Sequence, residues 1–177
     1  AVFGGGFDPP TLHHEQIVDQ ILNETGIPVW VMPCFGHKFS KNSRLSDPYV
    51  RLQMIEIIHK NRSRWGLLPC DWEIFHQHSG SMYETVQQLK LENPDKNFRI
   101  VVGMDNANVI EEKWDRGKQL IAENPFFVFG RNGVAPTASW FLHPPHRFFE
   151  IDSDGSSTLV RNAIECGRSE EHTSELQ

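Results

Sequence analysis

The feature that most limits the fold of this chain is an alternation of short apolar runs with stretches of helical period. Apolar runs stand at Val2-Phe3, Val29–Met32, Phe98–Val102, Phe126–Phe129 and Phe148–Ile151. Between them, apolar residues recur at helical spacing: Ile17, Ile21 and Leu22 in Thr11–Asn23, and Leu52 and Ile55 with His59 after Asp47-Pro48. Short apolar runs joined by helical crossovers predict a parallel α/β sheet.

Local signals place the element ends. Asp47 suits a helix cap and Pro48 the first helical position. Ser81-Met82-Tyr83-Glu84 is a capping-box pattern for a helix reaching about Glu92. Trp65–Leu68 and Trp72–Ile74 read as further short strands, Lys113–Glu123 as a helical piece, and Ser156–Cys166 as the last helix. Residues 132–145 read as irregular. Pro33–Ser46 is polar, basic and long for a connection, which marks it as a functional loop.

Composition narrows the class. A length of 177 residues suits one domain, and 38% hydrophobic residues suit a globular one. No apolar run approaches the ~18–20 residues of a membrane helix. A net charge of −6 argues against a general nucleic-acid-binding surface while leaving room for a local phosphate site. Cys34, Cys70 and Cys166 are far apart with no CxxC pair, so no disulfide scaffold or zinc site is expected, and a cytoplasmic location is.

Both ends are unusual. The chain opens inside a strand-like run, so residues upstream of Ala1 are expected. Residues 168–177, RSEEHTSELQ, have no helical or strand period and resemble the translation of a short-read sequencing adapter. The expectation is a single domain over 1–167, truncated at both ends, followed by a non-native tail. Without the tail's one Arg and three Glu, the remainder carries 16 basic and 20 acidic residues, net −4.

The most informative segment is Val2-Phe3-Gly4-Gly5-Gly6-Phe7-Asp8-Pro9-Pro10-Thr11-Leu12-His13-His14. Three glycines at a strand end let a ligand approach the backbone, and the following helix offers free N–H groups and a positive dipole end to an anion. The spacing fits neither the dinucleotide fingerprint G-x-G-x-x-G nor a P-loop, which needs a lysine. A tight turn alone would also explain the glycines. Near the other end stands Gly155-Ser156-Ser157-Thr158-Leu159-Val160-Arg161, where Ser157 or Thr158 can cap a helix and Arg161 lies one turn on.

The first segment resembles the GG-x-F-D-P-x-(H/T)-x-G-H signature of nucleotidyltransferases, with Gly4, Gly5, Phe7, Asp8, Pro9, Thr11 and His14 matching and His13 replacing a glycine. The second is similar to I-S-S-T-x-I-R, with Gly155 replacing isoleucine. Within that superfamily, Val2–Gly167 resembles the nicotinate/nicotinamide mononucleotide adenylyltransferases. The resemblance implies a Rossmann-like, doubly wound parallel α/β sheet with helices on both faces. It implies transfer of AMP from ATP to a pyridine mononucleotide, with release of pyrophosphate, in NAD biosynthesis.

The same resemblance assigns roles. His14, Thr11 and Arg161 would act on the triphosphate. Gly4, Gly5, Gly6, Phe7, Gly103, Asp105, Ser157 and Thr158 would bind ATP, with Asp105, in Gly103-Met104-Asp105-Asn106, on the ribose. Thr85, Trp114 and Arg131 would bind the mononucleotide, Trp114 by stacking on the pyridine ring. Lys41 and Arg51 resemble basic residues of a phosphate-facing loop. Magnesium is expected on the ATP phosphates, with no protein side chain as ligand. ATP and the mononucleotide are the expected partners, with no nucleic acid and no membrane; a homo-oligomer is left open, as is the choice between nicotinate and nicotinamide.

Each assignment has a plainer counterpart. Asp105 suits a helix cap, Thr85 a first-turn residue, Trp114 a structural indole and Lys41 an exposed loop position. His76 and His78 alternate as if in a strand but lack a third metal ligand. His143-Pro144-Pro145-His146 reads as a turn. No G-x-S-x-G elbow supports a hydrolase. The alternatives are pantetheine-phosphate adenylyltransferase, a cytidylyltransferase, and a non-catalytic nucleotide-binding relic.

Overall fold

The structure is a computed structural model and describes residues 1–36, 45–61, 66–78, 81–151 and 157–165. Six parallel strands form one sheet: β1 (Val2–Gly5), β2 (Val29–Pro33), β3 (Leu67–Pro69), β4 (Ile100–Gly103), β5 (Phe126–Phe129) and β6 (Arg147–Phe149). Their order is β3-β2-β1-β4-β5-β6, so the winding reverses between β1 and β4. Helices α1 (Leu12–Thr25) and α2 (Pro48–Asn61) belong to the first half, with α3 (Trp72–Phe75) after β3. Helix α4 (Met82–Glu92) leads into β4. Then follow α5 (Met104–Ala107), α6 (Ile110–Lys113) and α7 (Gly117–Glu123), and α8 (Ser157–Glu165) comes last.

Strand side chains alternate between two cores, which is what helices on both faces require. Phe3, Val31, Phe127 and Phe129 pack with Ile17, Val18 and Ile21 of α1 and Ile55 of α2. Ile100, Val102, Phe126 and Val128 face the other way, against Tyr83 and Val86 of α4 and Leu120 of α7. The predicted doubly wound parallel sheet is the fold found.

Ser81 and Glu84 form the expected capping box, with Glu84 N donating to Ser81 Oγ at 3.2 Å. Asp47 Oδ1 accepts from Tyr49 N, as the Asp-Pro signal implies.

One segment corrects the sequence reading. Trp72–Ile74 is helical, not a strand: Phe75 N bonds to Asp71 O at 2.8 Å and His76 N to Trp72 O at 3.1 Å. Strand-favouring residues wind into a single turn here that buries Ile74. His76 and His78 consequently do not alternate along a strand. They flank Trp72, with ring centroids 4.5 and 5.5 Å from the indole, and lie near different carboxylates, Glu92 and Glu84. The Lys113–Glu123 piece is likewise broken. Its helix begins at Gly117, after Arg116 takes a left-handed φ of 51°. Among the described residues no helix is long and apolar enough to cross a membrane.

Candidate active site

The site follows from the reversal of winding. β1 pairs with β2 as far as Gly5, but with β4 only through Val2 and Phe3. The carboxyl ends of β1 and β4 therefore part, opening the crevice where sheets of this topology bind ligands. A cavity of about 270 Å³ lies there, lined by the turn Gly4–Asp8, by His13 and His14, by Gly103 and Asp105, and by Arg131, Ser157, Thr158 and Arg161.

At Gly4 the chain packs closely, since a Cβ would come 2.6 Å from Cε of Met82 and displace that side-chain end. Beyond it Phe7 is buried and left-handed, with φ 48°. Edge-on packing against Phe3 at 5.2 Å and His14 at 5.0 Å holds a conformation that L residues avoid.

Thr11 caps α1, and His14 occupies the third helical position. Thr11 N donates to His14 Nδ1 at 3.0 Å, so His14 takes the place usually held by Glu or Gln in a capping box. A backbone N–H can only donate, so Nδ1 is an acceptor and the neutral ring carries its hydrogen on Nε2. Burial lowers the His14 pKa to about 4, with the neighbouring charges of His13 and Arg131 adding to the effect. The ring is neutral near pH 7 and offers one N–H.

The second motif reaches the same place. Ser157 Oγ donates to Pro9 O at 2.7 Å. Arg161 donates to Asp8 O and, at 3.2 Å, to Thr158 Oγ1. The two ends of the chain are thus joined around one cavity. His13 also lines it, where the family signature has glycine.

The acidic and basic side chains of the lining balance, Asp8 and Asp105 against Arg131 and Arg161. Asp8 is buried and its carboxylate accepts from Ser46 N at 3.0 Å, while Asp105 pairs with Arg131 at 2.9 Å. Arg161 lines the same space. Cys34 and Cys70 are free thiols whose pKa burial raises, which argues against a thiolate nucleophile. Among the described residues no three His, Cys, Asp or Glu are grouped to hold a metal.

A smaller cavity of about 140 Å³ adjoins the first through Gly4, Gly5, Gly103 and Asn106. Trp114 and Met82 line it. Thr85 lines neither cavity. It is fully buried, and its hydroxyl faces the Glu73 carboxyl without meeting hydrogen-bond geometry. Lys41 lies outside the described residues. Sequence reasoning missed Met82, which stands inside the capping box with nothing local to distinguish it. Arg51, likened from the sequence to basic residues around a phosphate-facing loop, is 1% exposed and lines neither cavity.

Comparison with known proteins agrees with this geometry. The cytidylyltransferase-like family model matches residues 2–163. A probable nicotinate-nucleotide adenylyltransferase of Nitratiruptor is 30% identical over 162 residues, covering 91% of this chain and 86% of that one. Its counterpart in Bacteroides fragilis is 26% identical, covering 94% and 82%. The nicotinic acid mononucleotide adenylyltransferase of Plasmodium falciparum superimposes with a TM-score of 0.82 in its complex with NaAD, at 24% identity over 98% of this chain and 87% of that one. In its complex with APC the TM-score is 0.80 at 25% identity, over 97% and 86%. The chain belongs to the cytidylyltransferase-like family and, within it, to the nicotinate-nucleotide adenylyltransferases.

Proposed function

We propose that this protein transfers AMP from ATP to nicotinate mononucleotide and releases pyrophosphate. The observation that carries the reading is the convergence of the glycine turn, His14 and Arg161 on one cavity at the switch point of the sheet. The names of the relatives supply the acceptor, nicotinate in preference to nicotinamide.

The phosphate oxygen of the mononucleotide attacks the α-phosphorus of ATP. The bond from that phosphorus to the bridging oxygen breaks, and pyrophosphate leaves with the electron pair. The attacking oxygen is already anionic, so no side-chain nucleophile is required. Catalysis is then positioning and charge stabilisation. The amides of the turn and of the α1 N-terminus, His14 Nε2–H and Arg161 hold the triphosphate, with Thr11 fixing the His14 ring. Ser157 and Thr158 fix the Arg161 end. Asp105 accepts from ribose hydroxyls, Arg131 meets the mononucleotide phosphate, and Trp114 stacks on the pyridine ring in the smaller cavity. The donor set fits magnesium carried by phosphate oxygens and water, where it would neutralise charge on the triphosphate. Lys41 would add a phosphate contact. The domain spans 1–167, and its location is cytoplasmic.

Pyrophosphate release should be measured with ATP and, separately, nicotinate and nicotinamide mononucleotides, with CTP and phosphopantetheine as alternatives. Release with ATP and nicotinate mononucleotide is expected. Activity only with CTP or phosphopantetheine, or ATP binding without release, would overturn the reading.

A further inference from the structure

We infer that Arg51 is the positioning residue of the anion-binding turn, acting from behind it without touching substrate. Its guanidinium is buried and gives its donors to main-chain carbonyls and, at 3.8 Å, to Cys34 Sγ. Nη1 donates to Gly6 O at 2.8 Å, Nη2 to Cys34 O at 2.7 Å, and Nε to Ser46 O at 3.0 Å. A planar fork of donors suits three fixed acceptors in a way that a lysine ammonium does not. The buried Glu73 lies within electrostatic reach, and Arg51 slightly opposes the rise of its pKa.

The three carbonyls belong to three separate segments: the glycine turn, the end of β2, and the residues leading into α2. Around this hub the turn is held at successive points. Gly5 O accepts from Cys34 N at 2.9 Å, Gly6 O from Arg51, and the Asp8 carboxylate from Ser46 N at 3.0 Å. A trans peptide is planar, with its C=O and N–H directed oppositely. Fixing the carbonyls of Gly5 and Gly6 on the Cys34–Arg51 side turns the N–H groups of Gly6 and Phe7 the other way. The cavity these residues line is on that side, and Arg51 does not line it. Arg51 therefore sets the direction of the amide donors that receive the phosphates.

This inference rests on the adenylyltransferase reading for its substrate but can be tested without turnover. Arg51→Lys keeps the charge and loses the fork. Calorimetric ATP affinity and kcat/KM for ATP should each fall at least about 10-fold, because donors misplaced by an ångström lose most of their effect. Nicotinate mononucleotide binding, measured by calorimetry, should stay within about twofold. Unchanged ATP affinity and turnover in the folded variant would overturn the inference, as would equal loss for both substrates. Should Arg51→Lys fail to fold, the Arg51 Nε–H resonance of the wild-type protein keeps the test open. It should remain protected and unshifted on ATP saturation, and a large shift or loss of protection would overturn the role. If the wild-type protein binds ATP but forms no pyrophosphate, the proposed reaction fails while the Arg51 test stands.

Discussion

The main-chain N–H of Thr11 lies 3.0 Å from Nδ1 of His14, and this bond decides which ring nitrogen can face a phosphate. With Nδ1 occupied as an acceptor, Nε2 is the donor. His14→Ala should lower kcat by about 10²–10³-fold, the usual cost of one transition-state donor, with circular dichroism unchanged. His14→Gln, which keeps a donor, should recover part of the loss. The ring is held neutral by burial, with a pKa of about 4 against an ordinary 6.5. Its contribution to stability is complete above the ordinary value and is lost as the pH falls through about 4. A bound triphosphate favours the charged form. ATP binding at about pH 5.5 should therefore take up protons in the wild type and fewer in His14→Ala, measured by calorimetry in two buffers of different ionisation enthalpy.

Trp114 and Thr85 should separate cleanly. Trp114 lines the smaller cavity opposite Met82, so Trp114→Ala should raise KM for the mononucleotide by about 10-fold or more and leave KM for ATP within about twofold. Thr85 is fully buried with an unpaired hydroxyl. Thr85→Val removes that hydroxyl without altering the lining of either cavity, so both KM values should hold. A mononucleotide-specific rise in KM for Thr85→Val would restore the sequence-based role.

The phosphate side of the site was legible because its motifs are local. Gly4–Gly6, Thr11 and His14 sit within one strand–turn–helix, and Ser157 and Arg161 within one helical turn. The sheet was legible for the same reason, since each apolar run is itself a strand. Trp72–Ile74 was not, because its residue types favour a strand while the tertiary burial of Ile74 goes with a helical turn. Arg51 carried a faint signal: it stands four residues before Ile55, on the buried stripe of α2. Its partners, Gly6 and Cys34, are 45 and 17 residues away in sequence, so no pattern along the chain could reveal them.

Arg131 and Asp105 form an ion pair at 2.9 Å, each roughly half exposed. Pairs of that exposure contribute about 0–1 kcal/mol to stability. Arg131→Ala should accordingly shift the thermal midpoint by no more than about 2–4 °C. Its cost in kcat/KM should be larger, at least about 10-fold, if the side chain turns from Asp105 to the mononucleotide phosphate. Asp105→Asn should instead raise KM for ATP, and the double variant should show the two losses to be non-additive. A catalytic loss no larger than the stability loss predicts would assign the pair a structural role only.

His13 stands in the larger cavity where the family signature has glycine, and its charge is one cause of the lowered pKa of His14. His13→Gly removes the ring and opens room beside the triphosphate, so KM for ATP should fall. The pKa of His14, followed by its ring-proton shifts, should rise because one source of positive charge is gone. A higher KM in this variant would show that His13 binds the nucleotide directly.

Glu73 offers the test at the greatest distance from the chemistry. Burial raises its pKa from 4.5 to about 7, against the opposing effects of the Phe35 amide, Thr85 and Arg51. A carboxyl raised in this way binds its proton more tightly in the folded state. Its contribution to stability is complete below pH 4.5 and is lost as the pH rises through about 7. Glu73→Gln mimics the protonated form at every pH. The variant should match the wild type at about pH 5 and exceed it at about pH 8.5, by on the order of 1–2 kcal/mol or roughly 3–6 °C in Tm. The opposite sign at high pH would mean that the ionised carboxylate is needed by Arg51, whose guanidinium would then lose a counter-charge on substitution. Thermal melts of both proteins across that pH range separate the two outcomes.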